Sequence, residues 1–189
     1  MSYFNNAVRA AAVAAIALGG VATFAAPGFA KSVMVGGAPM SPTKNIVENA
    51  ANSKDHTTLV AAVKAAGLAD TLSGQGPFTV FAPTNEAFAK LPAGTVDTLL
   101  KPANKDKLAA VLTYHVVPGK LSAADIVKAA GKMNGKAAYK TVQGEPLTLQ
   151  VDGDKVWVID SKGNKAQVTI ADVNQSNGVI HVINGVLLP

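Results

Sequence analysis

Residues 79–88 read Thr-Val-Phe-Ala-Pro-Thr-Asn-Glu-Ala-Phe and contain a change from strand to helix that decides the fold. Residues 78–81 favour a short strand, which Pro83 ends because proline cannot donate to a strand ladder. Thr84 can then cap a helix, with Glu86 in the first turn, where the helix dipole favours an acidic side chain. This segment therefore predicts an early strand followed directly by a helix.

Helical patterns dominate the rest of the first half of the chain. A helix that starts near Thr57 is expected to end at Gly67, since glycine is the usual residue at a helix C-terminus. Asn104 is predicted to begin a longer helix whose apolar face includes His115. Ser122 is predicted to cap another helix.

The second half of the chain changes to the period of two that is typical of strands. Apolar and polar residues alternate over residues 147–152, and Asp152-Gly153 indicates a tight hairpin. Residues 156–159 have no polar face, so they are expected to form a central strand buried on both sides, with Trp157 in the core. Helices first and strands later indicate an α+β fold with a mainly antiparallel sheet.

The N-terminus has the pattern of a secretory signal peptide. One charge at Arg9 precedes an uncharged apolar run, and small residues follow, which predicts cleavage after Ala30. Cleavage after Ala26 is the alternative, and an uncleaved membrane anchor is the rival interpretation of residues 1–30. Residues 31–42 are rich in glycine and proline and are expected to form a flexible lead-in to a domain over residues 43–189.

Composition limits the possible partners. Removal of residues 1–30 leaves 159 residues without cysteine, with 16 lysines and no arginine against 12 acidic residues, a net charge of +4. The lysines are scattered along the chain, unlike the Arg-rich clusters of nucleic-acid-binding proteins. We therefore expect no nucleic-acid binding, no membrane span after processing, and at most weak attraction to anionic polymers or headgroups.

No motif for catalysis or metal binding stands out in the sequence. A nucleophile elbow, a phosphate-binding loop and a complete calcium loop are all missing. The histidines do not have zinc-ligand spacing: His56 is expected to be a solvated residue at a helix start, and His181 shares a strand face with apolar neighbours. The sequence thus predicts no enzyme activity, no cofactor and no metal.

Three stretches taken together resemble the signatures of fasciclin domains. They are residues 79–88, residues 113–117 (Thr-Tyr-His-Val-Val) and residues 178–187 (Gly-Val-Ile-His-Val-Ile-Asn-Gly-Val-Leu). Their order and spacing match over residues 45–189, and the chain is most similar to the small, secreted, single-domain bacterial type. The resemblance implies a wedge of two short, mainly antiparallel β-sheets with helices packed on one side.

The resemblance also suggests binding residues. In animal members an Asp-Ile pair before the closing signature takes part in integrin binding, and Asp172-Val173 occupies that place here. Tyr114 and His115 could form part of a ligand groove, or could lock the helix end to the sheet. We favour the second interpretation, because buried polar groups usually serve stability.

Three functions follow as hypotheses. The first is a secreted or periplasmic adhesion module that binds a cell-surface or matrix protein or polysaccharide, as the resemblance implies. The second is a carrier of an apolar small molecule, a carotenoid or lipid, in a groove between helices and sheet. A hydrolase is the third, and it lacks a recognisable nucleophile and base. An apolar pocket beside Tyr114 and His115 would favour the carrier, whereas a packed interior would favour adhesion.

Overall fold

The computed structural model describes residues 32–189, so the predicted signal peptide lies outside the described residues. The strands are β1 (Val33–Val35), β2 (Ala38–Met40), β3 (Phe78–Pro83), β4 (Val116–Pro118), β5 (Lys136–Lys140), β6 (Pro146–Asp152), β7 (Lys155–Ile159), β8 (Lys165–Gln175) and β9 (Gly178–Ile183). The helices are α1 (Ile46–Asn52), α2 (Thr57–Ala66), α3 (Ala69–Ser73), α4 (Asn85–Ala89), α5 (Thr95–Leu99), α6 (Lys105–Tyr114) and α7 (Ala123–Gly131). Two short 3₁₀ turns, Lys54–His56 and Pro102–Asn104, precede α2 and α6.

A seven-stranded sheet in the order β4-β3-β9-β8-β7-β6-β5 replaces the two short sheets that we expected, and that expectation is wrong. The reason is the length of β8, which pairs with β7 through its first residues and with β9 through its later ones. Register shifts between Val168 and Val173 let this long strand bend between the two halves. The β3–β9 pair is parallel and the other pairs are antiparallel, so the mainly antiparallel character is confirmed.

Strands β3 and β9 are covered on both faces. Val80 and Ala82 belong to an apolar cluster that includes residues of α1, α2 and α6. Phe81 and Ile183 belong to a second cluster, formed with β6, β7 and Ile126 of α7. Because neighbouring residues of a strand point to opposite faces, these strands form the centre of the fold. Helices therefore lie in both clusters, and not on one side alone.

Three of the helix ends predicted from the sequence, at Thr84, Ser122 and Gly67, are confirmed. The Thr84 side chain accepts a hydrogen bond from the backbone of Ala87 at the start of α4. Ser122 and Asp125 form a reciprocal capping box at the start of α7. Gly67 ends α2 in the left-handed conformation, with φ of 72°.

The expected flexible lead-in is instead a hairpin. Strands β1 and β2 pair antiparallel around Gly36-Gly37, whose positive φ angles of 58° and 76° suit a two-residue hairpin turn. Val35 and Met40 are buried in the first cluster. The glycine and proline content of this segment favours a loop, but Gly36-Gly37 between two short apolar segments is the signal of a hairpin turn.

Strand β7 lies inside the sheet, as predicted, but it is not buried on both sides. Val158 is fully buried, whereas Trp157 and Ile159 are only partly buried on the opposite face. The sequence correctly indicates a central position in the strand order. It cannot show that no other element of residues 32–189 covers this face of the sheet. Between residues 32 and 189, no helix has both the length and the apolar character needed to cross a bilayer.

Candidate functional site

Tyr114 is the last residue of α6, and its ring is completely buried in the second apolar cluster. The hydroxyl donates a hydrogen bond to the carbonyl of Pro146 at 3.0 Å and accepts one from the backbone N–H of Ser161 at 2.9 Å. Burial raises the pKa of Tyr114, with the Ser161 hydrogen bond opposing part of the effect. The hydroxyl thereby joins the end of α6 to the start of β6 and to the loop after β7.

His115 follows directly and is also buried. Its Nδ1 lies 2.7 Å from the Val111 carbonyl, and its Nε2 accepts the backbone N–H of Leu187 at 3.0 Å. These partners require a proton on Nδ1 and a free lone pair on Nε2, which only the neutral ring provides. Burial lowers the pKa of His115 to about 4, against weaker opposing effects of the Val111 carbonyl and Asp160.

His181 on β9 repeats this arrangement with the nitrogens exchanged. Its Nε2 lies 2.8 Å from the carbonyl of Leu121, and its Nδ1 accepts the backbone N–H of Asp172 at 3.3 Å. The ring stacks on Phe81 with a centroid separation of 5.6 Å. Burial lowers the pKa of His181 as well. Both ring nitrogens of His115 and of His181 therefore have backbone partners, as buried polar groups usually do.

Asp172 and Val173 lie at the irregular part of β8. Asp172 adopts a left-handed conformation with φ of 56°, and its Oδ1 accepts the backbone N–H of Ala123 at 2.7 Å. The carboxylate thus assists Ser122 at the start of α7 and remains only partly exposed. Val173 is fully buried in the first apolar cluster.

The four candidate residues do not converge on one site. Tyr114 packs in the second apolar cluster and Val173 in the first, on the other side of the central strands. Tyr114 and His115 are not bonded to each other either, because each is engaged with backbone groups of other elements. Their shared property is that they connect distant parts of the chain.

His56 differs from its prediction. We expected a solvated residue, and the side chain is buried, with Nδ1 at 2.9 Å from the Ser53 hydroxyl. Burial lowers the pKa of His56, and the backbone of Ala82 opposes part of this effect. Its Nε2 nevertheless has no hydrogen-bond partner of good geometry within the described part of the chain. The β1–β2 hairpin and α1 help to enclose it, along a small gap that Met40 and Ala50 share with its ring.

Two buried polar side chains with several hydrogen bonds, Asp160 and Asn49, were not predicted from the sequence. Asp160 accepts four hydrogen bonds, from the backbone of Lys162 and Leu188 and from both the backbone and side chain of Asn164. Asn49 exchanges hydrogen bonds with the backbone of Ser41 and also donates to the side chain of Gln175. Apart from the turn signal around Asp160, no local motif predicts these contacts, because Leu188 and Gln175 lie far from Asp160 and Asn49 in sequence.

The interior leaves little space for a ligand. The cavity beside His115 is apolar, lined mainly by aliphatic residues of α1, α2 and α6, and has a volume of about 30 Å³. Two further apolar cavities measure about 20 and 10 Å³. Spaces of this size hold one water molecule at most. Within residues 32–189, no three His, Cys, Asp or Glu side chains are grouped as metal ligands.

Comparisons with known proteins agree with these features. The family profile described as Fasciclin domain matches residues 54–189. Protein sll1483 of Synechocystis sp. is 55% identical over 159 residues, covering 84% of this chain and 81% of that protein. The transforming growth factor-beta-induced protein ig-h3 of Sus scrofa is 41% identical over 131 residues, covering 69% of this chain and 17% of the relative.

A solved structure extends the comparison to the fold. A FAS1 domain pair from the insect cell adhesion molecule Fasciclin I superimposes with a TM-score of 0.67 at 20% sequence identity. The match covers 77% of this chain and 51% of that chain. At this identity the likeness concerns the fold alone.

Proposed function

Because the chain belongs to the fasciclin domain family, we propose that it is a non-catalytic, exported module that binds a cell-surface or matrix protein or polysaccharide. The observation that carries this proposal is the filled interior around the family signatures. Tyr114, His115 and His181 use their polar atoms on backbone partners, and the cavity beside His115 is about 30 Å³. A scaffold packed in this way offers its outside for binding.

The adhesive role extends the family resemblance to this chain as a proposal. The solved domain pair, from a protein whose name describes an insect cell adhesion molecule, supports the fold of the module and not the identity of its partner. We assign Tyr114, His115 and Val173 to the scaffold, since all three are buried. Asp172 is the one candidate of the four that is partly exposed, and so it is the one suited to direct contact with a partner.

A carrier of a carotenoid or lipid is the second candidate, favoured by the apolar character of the cavity next to His115. Sites for small molecules usually measure about 300–1,000 Å³, so the helices around this cavity would have to move apart to admit such a ligand. The protein purified from its native host decides between the two. Adhesion predicts an absorption spectrum without visible bands and no stoichiometric lipid after extraction, whereas a carrier would release a bound pigment or lipid.

Export is part of the proposal. Cleavage after Ala30 would leave Lys31 as the first residue of the mature protein. N-terminal sequencing of the protein recovered from the periplasm or medium tests this step. A full-length chain in the membrane fraction would contradict it.

Retention of cell-envelope fragments tests the binding function. The mature protein is immobilised, and fragments prepared from the native host are passed over it. A protein of similar size and charge without this fold serves as the control surface. Saturable retention on the mature protein alone is expected. Equal retention on both surfaces, or none, would contradict a binding function.

A further inference from the structure

Strands β5 to β8 have one face that no helix within residues 32–189 covers. One face of these strands points inward and is buried, as shown by Ala137 of β5, Leu149 of β6 and Val158 of β7. The residues that alternate with them along each strand point outward and are partly or fully exposed. Helix α7 packs against β5 and β6 from the inner side, through Ile126. We call the opposite surface of these four strands the outer face.

Trp157 lies near the middle of the outer face, where a polar residue would be usual. The strand register places Gln150 of β6 on one side of it and Gln167 of β8 on the other. Ile159 follows on the same strand, opposite Thr148. Partly exposed apolar side chains with a polar rim mark interaction surfaces. The absence of a polar side to residues 156–159 therefore requires an explanation that core packing does not supply.

The groups around Trp157 suit a hydrated, hydroxyl-rich partner. The indole presents a broad apolar surface, on which the flat side of a sugar ring can stack. Two amide side chains and a threonine hydroxyl flank it and can each donate and accept hydrogen bonds. The Oε1 atom of Gln150 is buried without a hydrogen-bond partner among the described residues. This oxygen is therefore an acceptor that is free within residues 32–189, and a small rotation of the Gln150 side chain would present it to a ligand hydroxyl.

The charge of the outer face is positive. Lys136 lies opposite Gln150, Lys155 precedes Trp157 by two residues on the same face, and Lys165 lies opposite Ile159, all of them exposed. Asp152 is the acidic residue of β6 on this face, and it sits at the strand end, opposite Lys155. Lysines on three strands around one aromatic ring are complementary to a partner with repeated negative charges.

We propose that the outer face binds an acidic polysaccharide, with a sugar ring stacked on Trp157 and its carboxylates near Lys136, Lys155 and Lys165. This proposal rests on the proposed function and names the partner class. A second copy of the chain is a poorer occupant, because two such faces would repel each other. A nucleic acid is also a poorer occupant, since arginine is lacking from residues 32–189 and Trp157 stands alone as an aromatic platform.

Intrinsic fluorescence tests the proposal, because Trp157 is the only tryptophan of the chain. The mature protein is titrated with polygalacturonate at low salt, with neutral dextran, poly-glutamate and an oligothymidylate as comparisons. A saturable change in emission is expected with polygalacturonate, weakening as salt is raised. No change, or equal or stronger binding of poly-glutamate or the oligonucleotide, would overturn the proposal.

Two charge-reversal pairs locate the site. Lys136→Glu with Lys165→Glu alters the outer face, and Lys64→Glu with Lys107→Glu makes the same change of net charge on helices α2 and α6. The first pair is expected to weaken polygalacturonate binding by about tenfold or more, and the second by less than about twofold. Equal losses would show general charge attraction and overturn the assignment. If polygalacturonate fails while envelope fragments are still retained, this inference falls and the binding function stands; if retention fails as well, both fall.

Discussion

At the scale of single residues, polar groups inside this protein act as connectors. His115 and His181 each use one ring nitrogen as a donor and the other as an acceptor toward backbone groups. His115 thereby links the end of α6 to Leu187, and His181 links β9 to Leu121. Protonation would place two N–H donors face to face at the acceptor nitrogen. Each histidine therefore stabilises the fold only while it is neutral.

Tyr114→Phe tests the connector role most simply. The change keeps the buried ring and removes the hydroxyl, which leaves the carbonyl of Pro146 and the N–H of Ser161 without this partner. Loss of about 1–3 kcal/mol in the free energy of unfolding is expected, measured by urea denaturation. Lys64→Ala on the exposed face of α2 serves as the control. A loss no larger than the control's would contradict the assignment.

The neutral histidines also predict how stability depends on pH. In the unfolded chain a histidine gains its proton near pH 6.5, whereas burial lowers the folded pKa of all three, that of His115 to about 4. The unfolded state thus binds more protons within this window, and the free energy of unfolding falls as pH falls from about 6.5 to about 4. His115 alone contributes up to about 3 kcal/mol to this change.

Urea midpoints measured from pH 7.5 to pH 5 check this prediction. The midpoint of the wild type is expected to fall steadily below pH 6.5, and His115→Ala should show a shallower slope from its lower starting value. Stability that stays level, or rises, between pH 7 and pH 5 would contradict the neutral state of these rings.

At the scale of elements, the parallel contact of β3 and β9 holds the two apolar clusters together. Gly178 faces Phe78 at the start of this pair, and a Cβ atom on Gly178 would lie 2.0 Å from the Phe78 carbonyl oxygen. Real Cβ atoms do not approach an oxygen so closely, so the strands would have to separate. The closing signature of the family thus includes a glycine that the strand contact requires.

Gly178→Ala is expected to lower the free energy of unfolding by about 2–3 kcal/mol through this clash. Gly131→Ala is the matched control, because its Cβ would meet nothing within 4 Å and alanine is the better helix residue at the end of α7. Calorimetric melting of both variants measures the difference. Equal melting temperatures for the two would show that β3 and β9 can separate without cost.

The helix ends could be predicted from the sequence, whereas the single sheet could not. Thr84, Ser122 and Gly67 are read correctly because a cap depends on residues three or four positions away. The single sheet was missed because β8 joins its two halves by length and bulges, which leave no local signal. Asp160 and Asn49 were missed for a related reason: their hydrogen-bond partners include groups brought near only by folding.

The same limit explains the candidate site. The Tyr-His element and Val173 are recognisable in sequence, but their burial depends on how the clusters pack. Asp172 stays partly exposed, and its contact with the start of α7 forms only in the folded chain. The outer face was not predicted because its residues look buried in the sequence and lie at the surface in the fold. Residues 156–159 look like a core strand, and only the fold shows that Trp157 and Ile159 lie on a surface that no helix of the described residues covers.

At the scale of the whole molecule, stability and binding are assigned to different places. The interior contains the connectors and cavities of about 30 Å³ or less, and the outer face of β5–β8 contains the partly exposed Trp157 and exposed lysines. A change inside should therefore alter stability and leave binding by the folded molecules intact. A change on the outer face should do the reverse.

The most direct test is the retention of native envelope fragments by immobilised His115→Ala and Trp157→Ala, compared with wild type at a temperature where both variants are folded. We predict that His115→Ala loses about 1–3 kcal/mol of stability and still retains the fragments, because it removes buried hydrogen bonds and buried ring atoms and leaves the outer face unchanged. Trp157→Ala is predicted to melt close to wild type and to lose most of the retention. Full retention by Trp157→Ala together with abolished retention by folded His115→Ala would contradict the account.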